Sequence, residues 1–299
     1  MTFGMKPLKR INWSDLFTEK TQKTTAQHTI GILNWSYQFN DCSRRSRHYR
    51  GVLSEEYAMA SEVFFYGTCL IDLSFPEAGM AAIKLLRHFD FNVSYPQQQT
   101  CCGQPPFNSG YQESARDVLR PQLLAFEGDA PIVVPSASCA GMLKSNVPAL
   151  FAKTEDAKRA EDFAGRIHEL SAFLELHAVS LQDQGESIAI AVHLSCASQR
   201  SDHSSKSMLN LLNSLEKVEV RQPKRAYECC GFGGTFAIKQ PEISAAMALD
   251  KADSLLELEA DRFICNDSGC LMNLTGTQTF QNRDLPAQHL YEFLWERIQ

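Results

Sequence analysis

The sequence has few of the features that mark membrane, secreted or nucleic-acid-binding proteins. No apolar run approaches the roughly 18 residues of a membrane span, and the N-terminus has no apolar core like that of a signal peptide. The net charge is -6, and no basic tract lies between residues 59 and 299. Nucleic acid is disfavoured as the main partner, because phosphate binding needs a basic surface. We therefore expect a cytoplasmic protein without a membrane span.

The motifs of several common enzyme classes are also missing. There is no Walker phosphate loop, no G-x-S-x-G nucleophile elbow and no H-E-x-x-H zinc pair. Gly231-Phe232-Gly233-Gly234 comes nearest to a dinucleotide motif, but the third glycine of G-x-G-x-x-G would fall at Phe236. We expect any flavin to be carried by another protein.

Cysteine, by contrast, is abundant. Eight of the ten cysteines form two sets with the same order, a lone cysteine, a Cys-Cys-Gly triplet and a second lone cysteine. The first set is Cys69, Cys101, Cys102 and Cys139, and the second is Cys196, Cys229, Cys230 and Cys270. Corresponding members lie 127 to 131 residues apart, which indicates an internal duplication.

The cysteine pattern favours metal or redox chemistry over disulfides. A reducing cytoplasm does not sustain disulfides, and adjacent residues, with Cα atoms about 3.8 Å apart, would be strained if bridged. Converging thiolates favour an iron–sulfur cluster, and Gly103 and Gly231 allow the backbone to turn between two ligands. Cys139 and Cys270, at predicted helix starts, would place amide donors near the sulfurs. A structural zinc, which usually has Cys-x-x-Cys pairs, and metal-free thiol chemistry are the alternatives.

The hydrophobic pattern predicts an α/β fold of two tandem, internally repeated cysteine-rich domains, residues 59–183 and 184–299. Strands are predicted at 62–66, 91–95, 131–134, 187–193, 217–220 and 262–265. Helices are predicted at 76–89, 111–126, 167–176, 204–215, 241–258 and 286–298, with His168 corresponding to His289. Alternating strands and helices indicate short parallel sheets flanked by helices, with the cysteines in loops at the strands' carboxyl ends.

Residues 1–58 differ from the rest. They carry nine Lys or Arg against five Asp or Glu, and residues 44–50 are the most basic piece. One interpretation is a basic arm that binds an acidic partner or an anionic surface. The other, which we favour, is a disordered extension or a misassigned start, with Met59 the natural beginning and Cys42 an incidental thiol.

Four stretches around the cysteines resemble a known family. They are Gly67-Thr68-Cys69-Leu70-Ile71-Asp72, Thr100-Cys101-Cys102-Gly103-Gln104-Pro105, Ser138-Cys139-Ala140-Gly141-Met142 and Cys229-Cys230-Gly231-Phe232-Gly233-Gly234-Thr235-Phe236. They are similar to the cysteine-rich "CCG" domain of heterodisulfide reductases, of iron–sulfur subunits in glycolate and glycerol-3-phosphate oxidation, and of lactate utilization proteins. The resemblance covers about residues 61–299 and is closest to the lactate utilization protein A group.

The resemblance implies one [4Fe-4S] cluster in each domain, held by the eight cysteines of the two sets. Ser136 and Asp267 stand where the wider family has the first cysteine of a Cys-x-x-Cys. The five-cysteine noncubane clusters that heterodisulfide reductase uses to cleave disulfides are therefore not expected. Cys265 is either a substitute ligand in the second domain or a buried thiol at a strand end.

The resemblance also implies a function in electron transfer. The chain would be a subunit of a cytoplasmic system that oxidises L-lactate to pyruvate. It would act with two other lactate utilization proteins, one of them a ferredoxin-like iron–sulfur protein, and the small 2-hydroxy acid would bind at the level of the assembly. A thiol–disulfide reductase subunit and a zinc-stabilised interaction protein are the alternatives.

Other polar residues lie near the cysteines in the sequence. Tyr66 and His193 each precede a lone cysteine by three residues, so either could donate a hydrogen bond to a cluster or shuttle a proton. Packed side chains at strand ends are the favoured alternative. Four polar residues follow the Cys-Cys-Gly triplets closely: Asn108, Ser109, Thr235 and Lys239. They could support the ligating cysteines, and Lys239 could hold a carboxylate substrate. Ordinary loop and helix capping explains most of them equally well.

Overall fold

Each cysteine-bearing half of the chain folds around a four-stranded parallel sheet. The computed structural model describes residues 62–200 and 204–299. The predictions for residues 1–58, including Cys42, and for a start at Met59 lie outside the described residues. Within those residues, no helix is both long and apolar enough to cross a membrane.

In the first half the strands lie in the order β2-β1-β3-β4. They are β1 (Glu62–Phe65), β2 (Asn92–Ser94), β3 (Ile132–Val134) and β4 (Ile167–Glu169). All three pairings are parallel, with Val63 beside Val93 and Ile132 beside Ile167. All three residues of β3 are fully buried, as expected for a parallel strand that helices cover on both faces.

Eight helices connect and follow the described strands of the first half. They are α1 (Cys69–Ser74), α2 (Pro76–His88), α3 (Gln104–Asn108), α4 (Gln112–Ala125), α5 (Ala137–Gly141), α6 (Val147–Phe151), α7 (Ala157–Gly165) and α8 (Leu170–Leu176). A π-helical turn, Met142–Asn146, joins α5 to α6. Helix α2 follows its sequence pattern closely, because Pro76 suits a first helical position and Ala82, Leu85 and Leu86 recur on one buried face.

The second half repeats this arrangement in the order β6-β5-β7-β8, again with parallel pairings. Its strands are β5 (Ile188–His193), β6 (Val218–Arg221), β7 (Arg262–Cys265) and β8 (Ala287–His289). Its helices are α9 (Cys196–Arg200), α10 (Ser204–Asn213), α11 (Phe236–Lys239), α12 (Pro241–Leu256), α13 (Ser268–Phe280) and α14 (Leu290–Ile298). The predicted fold class, two short parallel sheets flanked by helices, is confirmed.

Two predicted helices begin with a strand. The segments predicted as helices over 167–176 and 286–298 start with β4 and β8, and only their later parts are helical. Glu169 pairs with Val134 in the first sheet, and His289 pairs with Cys265 in the second. Since Val134 and Cys265 each lie five residues before the last cysteine of their set, Glu169 corresponds to His289. The predicted correspondence of His168 with His289 is therefore wrong by one residue.

The two halves pack against each other through corresponding elements. Helix α2 of the first half contacts α14 of the second, and α8 of the first half contacts α10 of the second. Because α10 corresponds to α2 and α14 to α8, the same two helices meet in both contacts, with the halves exchanged. This is the relation found in two-fold dimers. Polar contacts also join the halves, because the Ser138 amide donates to Asp267 Oδ2 at 2.8 Å and the hydroxyls of Ser109 and Thr235 lie 2.9 Å apart. The division into domains at residues 59–183 and 184–299 stays a prediction.

Glu169 is a buried carboxylate at this interface. Its Oε2 accepts a hydrogen bond from the Ser204 hydroxyl at 3.0 Å, and its Oε1 accepts one from Asn266 Nδ2 at 3.4 Å. The hydroxyls of Ser171 and Tyr291 also donate to it. Burial raises the pKa of Glu169, and the hydroxyl donors oppose that shift. The carboxylate therefore links the end of β4 to α10 and α14 of the other half.

A buried ion pair lies at the predicted boundary between the two domains. Arg297 Nε in α14 donates to Asp183 Oδ1 at 2.8 Å, and the Lys217 amide donates to Asp183 Oδ2 at 2.9 Å. The Asp183 and Arg297 side chains are 2% and 5% exposed. Desolvation acts to raise the pKa of Asp183, but the hydrogen bonds from Arg297 and from the backbone hold it below its ordinary value.

Replacing Asp183 with Asn is expected to lower the free energy of unfolding by about 3 to 5 kcal/mol, because it leaves the Arg297 guanidinium buried without its counter-charge. Anaerobic urea unfolding at pH 7 measures this. Because the native pKa of Asp183 is lowered, the difference from the wild type should be complete above about pH 5 and shrink as the pH falls through the native pKa.

The matched control is Glu219→Gln, which removes an exposed ion pair with Arg221. It should leave the free energy of unfolding nearly unchanged, because exposed ion pairs contribute little. If Asp183→Asn were as stable as the wild type at pH 7, the stabilising role given to the buried Asp183–Arg297 ion pair would be contradicted.

Candidate metal centres

In each half, one loop and the starts of two helices bring the cysteines to one edge of the sheet. The lone cysteines are predicted to lie in loops, but they lie at the starts of α1, α5, α9 and α13, and only the Cys-Cys-Gly cysteines lie in a loop. In the first half, Cys69 follows β1, Cys101 and Cys102 follow β2, and Cys139 follows β3. The central strands β1 and β3 are neighbours, and the chain passes from β1 to β2 on one side and from β3 to β4 on the other. Such a switch point opens a crevice at the carboxyl ends of the strands, where ligands of α/β folds bind.

Site one consists of Cys69, Cys101, Cys102 and Cys139. The sulfur atoms of Cys69 and Cys101 lie 3.9 Å apart, and those of Cys102 and Cys139 lie 3.2 Å apart. Cys102 and Cys139 are buried in the core of the first half, whereas Cys69 and Cys101 are partly exposed. The structure therefore brings together the whole first set that the sequence predicts.

Site two consists of Cys196, Cys229, Cys230 and Cys270. The sulfurs of Cys230 and Cys270 lie within 4.8 Å of each other, and the thiols of Cys196, Cys229 and Cys230 are close enough to shift one another's pKa values. The amides of Gly231 and Phe232 point at the sulfurs of Cys229 and Cys230, at 3.4 and 3.5 Å. The sequence predicts amide donors at the helices that begin near Cys139 and Cys270. The donors to Cys229 and Cys230 come instead from the Cys-Cys-Gly loop.

The glycine of each triplet has the left-handed backbone that the sequence predicts. The φ angle is 77° at Gly103 and 81° at Gly231, a region that favours glycine. A Cβ at Gly231 would lie 2.6 Å from the Ser244 carbonyl oxygen and 2.9 Å from Met247 Cβ. Glycine is therefore required here both by backbone conformation and by the close approach of α12.

The thiols of each site share protons, because several neighbouring thiolates repel one another. Hydrogen bonds from Cys102 and Cys69 lower the pKa of Cys101 to about 3, while these contacts and burial raise the pKa values of Cys69 and Cys102. In site two, hydrogen bonds from Cys229 and Cys270 lower the pKa of Cys230 to about 5. A metal cation would take the place of the shared protons and favour the remaining thiolates.

The donor set suits a thiophilic metal or an iron–sulfur cluster. Each site offers four sulfurs from three chain segments, two of them embedded in an apolar core. The 3.2 and 3.9 Å spacings in site one bracket the roughly 3.8 Å expected around a single tetrahedral ion with metal–sulfur bonds of about 2.3 Å. A four-iron cluster binds each thiolate to a different iron and requires these atoms to move apart.

Each site adjoins a cleft that the two halves form together. Beside site one lies an apolar cavity of about 660 Å³, to which Leu70 contributes from the first half and Phe232 and Met272 from the second. This cavity gives Cys69 and Cys101 space on one side. Beside site two lies a polar cavity of about 450 Å³, lined by Asn108 and Arg200 among others.

The family model of the cysteine-rich domain, CCG, matches this chain twice, at residues 63–144 and 190–275. Each match contains one complete set of four cysteines. The chain belongs to the cysteine-rich CCG domain family. The family resemblance seen in the sequence is thereby confirmed.

Curated relatives agree with the CCG assignment. Lactate utilization protein A of Geobacillus sp. (strain WCH70) is 34% identical over 238 residues, which cover 79% of this chain and 100% of the relative. The protein of the same name from Macrococcus caseolyticus is 34% identical over 80% of this chain and 98% of its own. Lactate utilization protein A 2 of Bacillus cereus (strain Q1) is 35% identical over 78% of this chain and 97% of its own.

A solved structure shares the fold at low sequence identity. The crystal structure of a hypothetical protein from Helicobacter pylori matches with a TM-score of 0.56 and 9% identity, covering 80% of this chain and 49% of that one. At this identity the likeness shows the fold alone.

The two CCG sites differ in residues that the repeat pattern did not single out. Arg200 Nη2 donates to the Cys196 sulfur at 3.5 Å, whereas the corresponding residue four positions after Cys69 is Leu73. Cys196 and Arg200 are an i, i+4 pair on α9, but the sequence predicts a loop at Cys196, so the sequence pattern did not reveal this contact. Site two therefore has a cation beside an outer sulfur where site one has an apolar side chain.

The two departures from the wider CCG pattern lie where the halves meet. Ser136 and Asp267 are both buried, and Asp267 accepts hydrogen bonds from the amides of Ser138 and Gly269 at 2.8 and 3.2 Å. Cys265 is buried nearby and exchanges hydrogen bonds with the Asp267 backbone. Its sulfur also lies within reach of Cys270, and its role as a ligand stays a prediction.

The remaining predicted polar residues are dispersed. Ser109 and Thr235 bond each other across the halves, Asn108 lines the polar cavity, and Lys239 is exposed at the end of α11. Tyr66 and His193 are both fully buried beside their sites. Burial lowers the pKa of His193 to about 3, with a contribution from Lys251, so its ring is neutral near pH 7.

Replacing Gly231 with Ala should disrupt site two, because the added Cβ meets the α12 backbone and the left-handed conformation disfavours a side chain. We expect a loss of about 1 to 3 kcal/mol in the free energy of unfolding, together with loss of metal at this site. Thermal unfolding and metal analysis of the purified variant measure both.

Gly276→Ala, in α13, is the control, since a Cβ there meets nothing within 4 Å. It should be neutral or stabilising by up to about 1 kcal/mol. A Gly231→Ala protein with unchanged stability and metal content would contradict the role given to this turn.

Proposed function

We propose that this protein is an iron–sulfur electron-transfer subunit of a cytoplasmic system that oxidises L-lactate to pyruvate. The observation that carries the proposal is the presence of two complete four-cysteine sites in a chain that spans the full length of relatives named lactate utilization protein A. The proposed cofactor is one [4Fe-4S] cluster at each site. When bound, such a cluster accepts and releases one electron at a time.

The electron count suits a protein with two such sites. Oxidation of a 2-hydroxy acid to a 2-oxo acid releases two electrons and two protons, and two one-electron centres can take up both electrons. The polypeptide contributes sulfur ligands from three chain segments and the amides of Gly231 and Phe232, which favour the more negative, reduced state. Partial exposure of Cys69, Cys101, Cys196 and Cys229 leaves one side of each site open to a redox partner.

The proposed partners are two other lactate utilization proteins, one of them ferredoxin-like, and the 2-hydroxy acid is oxidised by the assembly. Under this proposal the purified chain, loaded with iron and sulfide, keeps its visible absorption when L-lactate alone is added. It is bleached by L-lactate only when both partner proteins are present. Turnover of a small disulfide with a reductant alone would instead identify a thiol–disulfide reductase.

A zinc-stabilised interaction protein is the second candidate. The specific observation in its favour is the close sulfur spacing in site one, which suits a single tetrahedral ion. Stoichiometric zinc in a colourless protein would establish this candidate and end the electron-transfer proposal.

Replacing Cys102 or Cys230 with Ser should remove one of two independent clusters. We expect each variant to lose about half of the visible absorption, because the four-thiolate cluster depends on every ligand of its own site. The matched control is Cys42→Ser, since Cys42 belongs to neither set. Complete loss of absorption in both single variants would contradict independent sites and indicate one shared centre.

A further inference from the structure

The two sites differ at the end of their central strand. Tyr66 follows β1, and His193 ends β5, each three residues before the first cysteine of its set. The Tyr66 ring stacks on Phe126 with the ring centroids 5.0 Å apart, and its hydroxyl has no hydrogen-bond partner among the described residues. The ring contact between His193 and Phe263 is looser, with the centroids 6.4 Å apart.

No hydrogen bond within the described part of the chain holds the His193 ring in place. The side chain is fully buried, and neither Nδ1 nor Nε2 has a hydrogen-bond partner there. Buried polar atoms almost always have a partner, so a ring with two unpartnered nitrogens indicates a missing ligand or ion. His289 is equally buried and its Nε2 also lacks a partner among the described residues, but its Nδ1 accepts a hydrogen bond from the Tyr291 amide at 3.4 Å.

The unpartnered ring lies against the buried sulfurs of site two. One nitrogen of His193 and the sulfur atoms of Cys230 and Cys270 all lie within 4.8 Å of one another. Neutral imidazole and thiolate are both established ligands of zinc and of iron. The charged groups that face His193 are Lys251 and Asp267, so a cation bound here would have a carboxylate nearby.

We propose that His193 is a nitrogen ligand of the metal centre at site two, whereas site one is held by sulfur alone. The proposal rests on metal binding by the Cys-Cys-Gly loops, and the imidazole would stand in for one of the four thiolates of site two, because each iron of a four-iron cluster takes one protein ligand. Nitrogen ligation raises the reduction potential relative to thiolate alone. The Arg200 guanidinium beside Cys196 acts in the same direction. Site two would then have the higher reduction potential and be the better electron acceptor.

Cobalt(II) binding to the full-length chain tests this ligand without depending on the native metal. The protein is stripped of metal, loaded anaerobically with cobalt(II) alone, and studied by pulsed EPR with natural-abundance and ¹⁵N-labelled histidine. We expect a strong nitrogen hyperfine coupling that changes with the label and disappears in His193→Gln. Affinity for the second equivalent of cobalt should fall at least about tenfold in the variant.

His88→Gln is the matched control, because His88 is exposed on α2 and belongs to neither site. It should keep both the nitrogen coupling and the cobalt affinity. If His193→Gln does not fold, His193→Cys supplies a sulfur donor in its place and should bind cobalt without the nitrogen coupling.

Failure to bind cobalt, the absence of labelled nitrogen coupling in the wild type, or its survival in either His193 variant would overturn the proposal. None of these results would by itself contradict the proposed function. A wild-type protein that binds iron and sulfide but shows no nitrogen coupling would still fit an electron-transfer subunit with cysteine ligands alone.

Discussion

The convergence of three chain segments at the carboxyl edge of a parallel sheet is the constraint on which both sites depend. Cysteines that are 32 and 37 residues apart in sequence come within hydrogen-bonding distance because β1 and β3 are neighbours and their connections diverge. The left-handed turn at Gly103 or Gly231 follows two adjacent cysteines that both face this point. Without the strand order, the same cysteines would be scattered over separate loops.

Duplication of this unit has produced two sites that are not identical. Because α2 packs on α14 and α8 packs on α10, each half covers part of the other, and both clefts have walls from both halves. Three pairs of corresponding residues near the cysteines have diverged. Leu73 corresponds to Arg200, Tyr66 to His193, and Ser136 to Asp267. Two sites of common origin therefore differ in polarity and in the donors beside the sulfurs.

The sequence predicts the fold class and the grouping of the cysteines well, because both depend on local signals. Strands and helices follow hydrophobic period, and the two cysteine sets follow from a repeat of nearly constant offset. The fourth strand of each sheet is missed, because Ile167–Glu169 and Ala287–His289 have three residues each and run directly into helices. Such short edge strands carry no periodicity of their own.

Contacts between the halves are the other part that the sequence does not predict. The bond from Ser138 to Asp267 spans 129 residues, and the bond from Tyr291 to Glu169 spans 122. Nothing in the local pattern relates these positions, and the cavity beside site one exists only once the halves are packed. The lack of a hydrogen-bond partner for the His193 ring within residues 62–200 and 204–299 is likewise a property of its surroundings, although the sequence does place His193 three residues before Cys196.

The central claim is that the two four-cysteine sites hold redox-active iron–sulfur clusters. Anaerobic purification of the full chain, followed by iron, acid-labile sulfide and zinc analysis, tests it most directly. We predict about four irons and four sulfides per site, with visible absorption that bleaches on reduction. Stoichiometric zinc with no iron, sulfide or colour would contradict it.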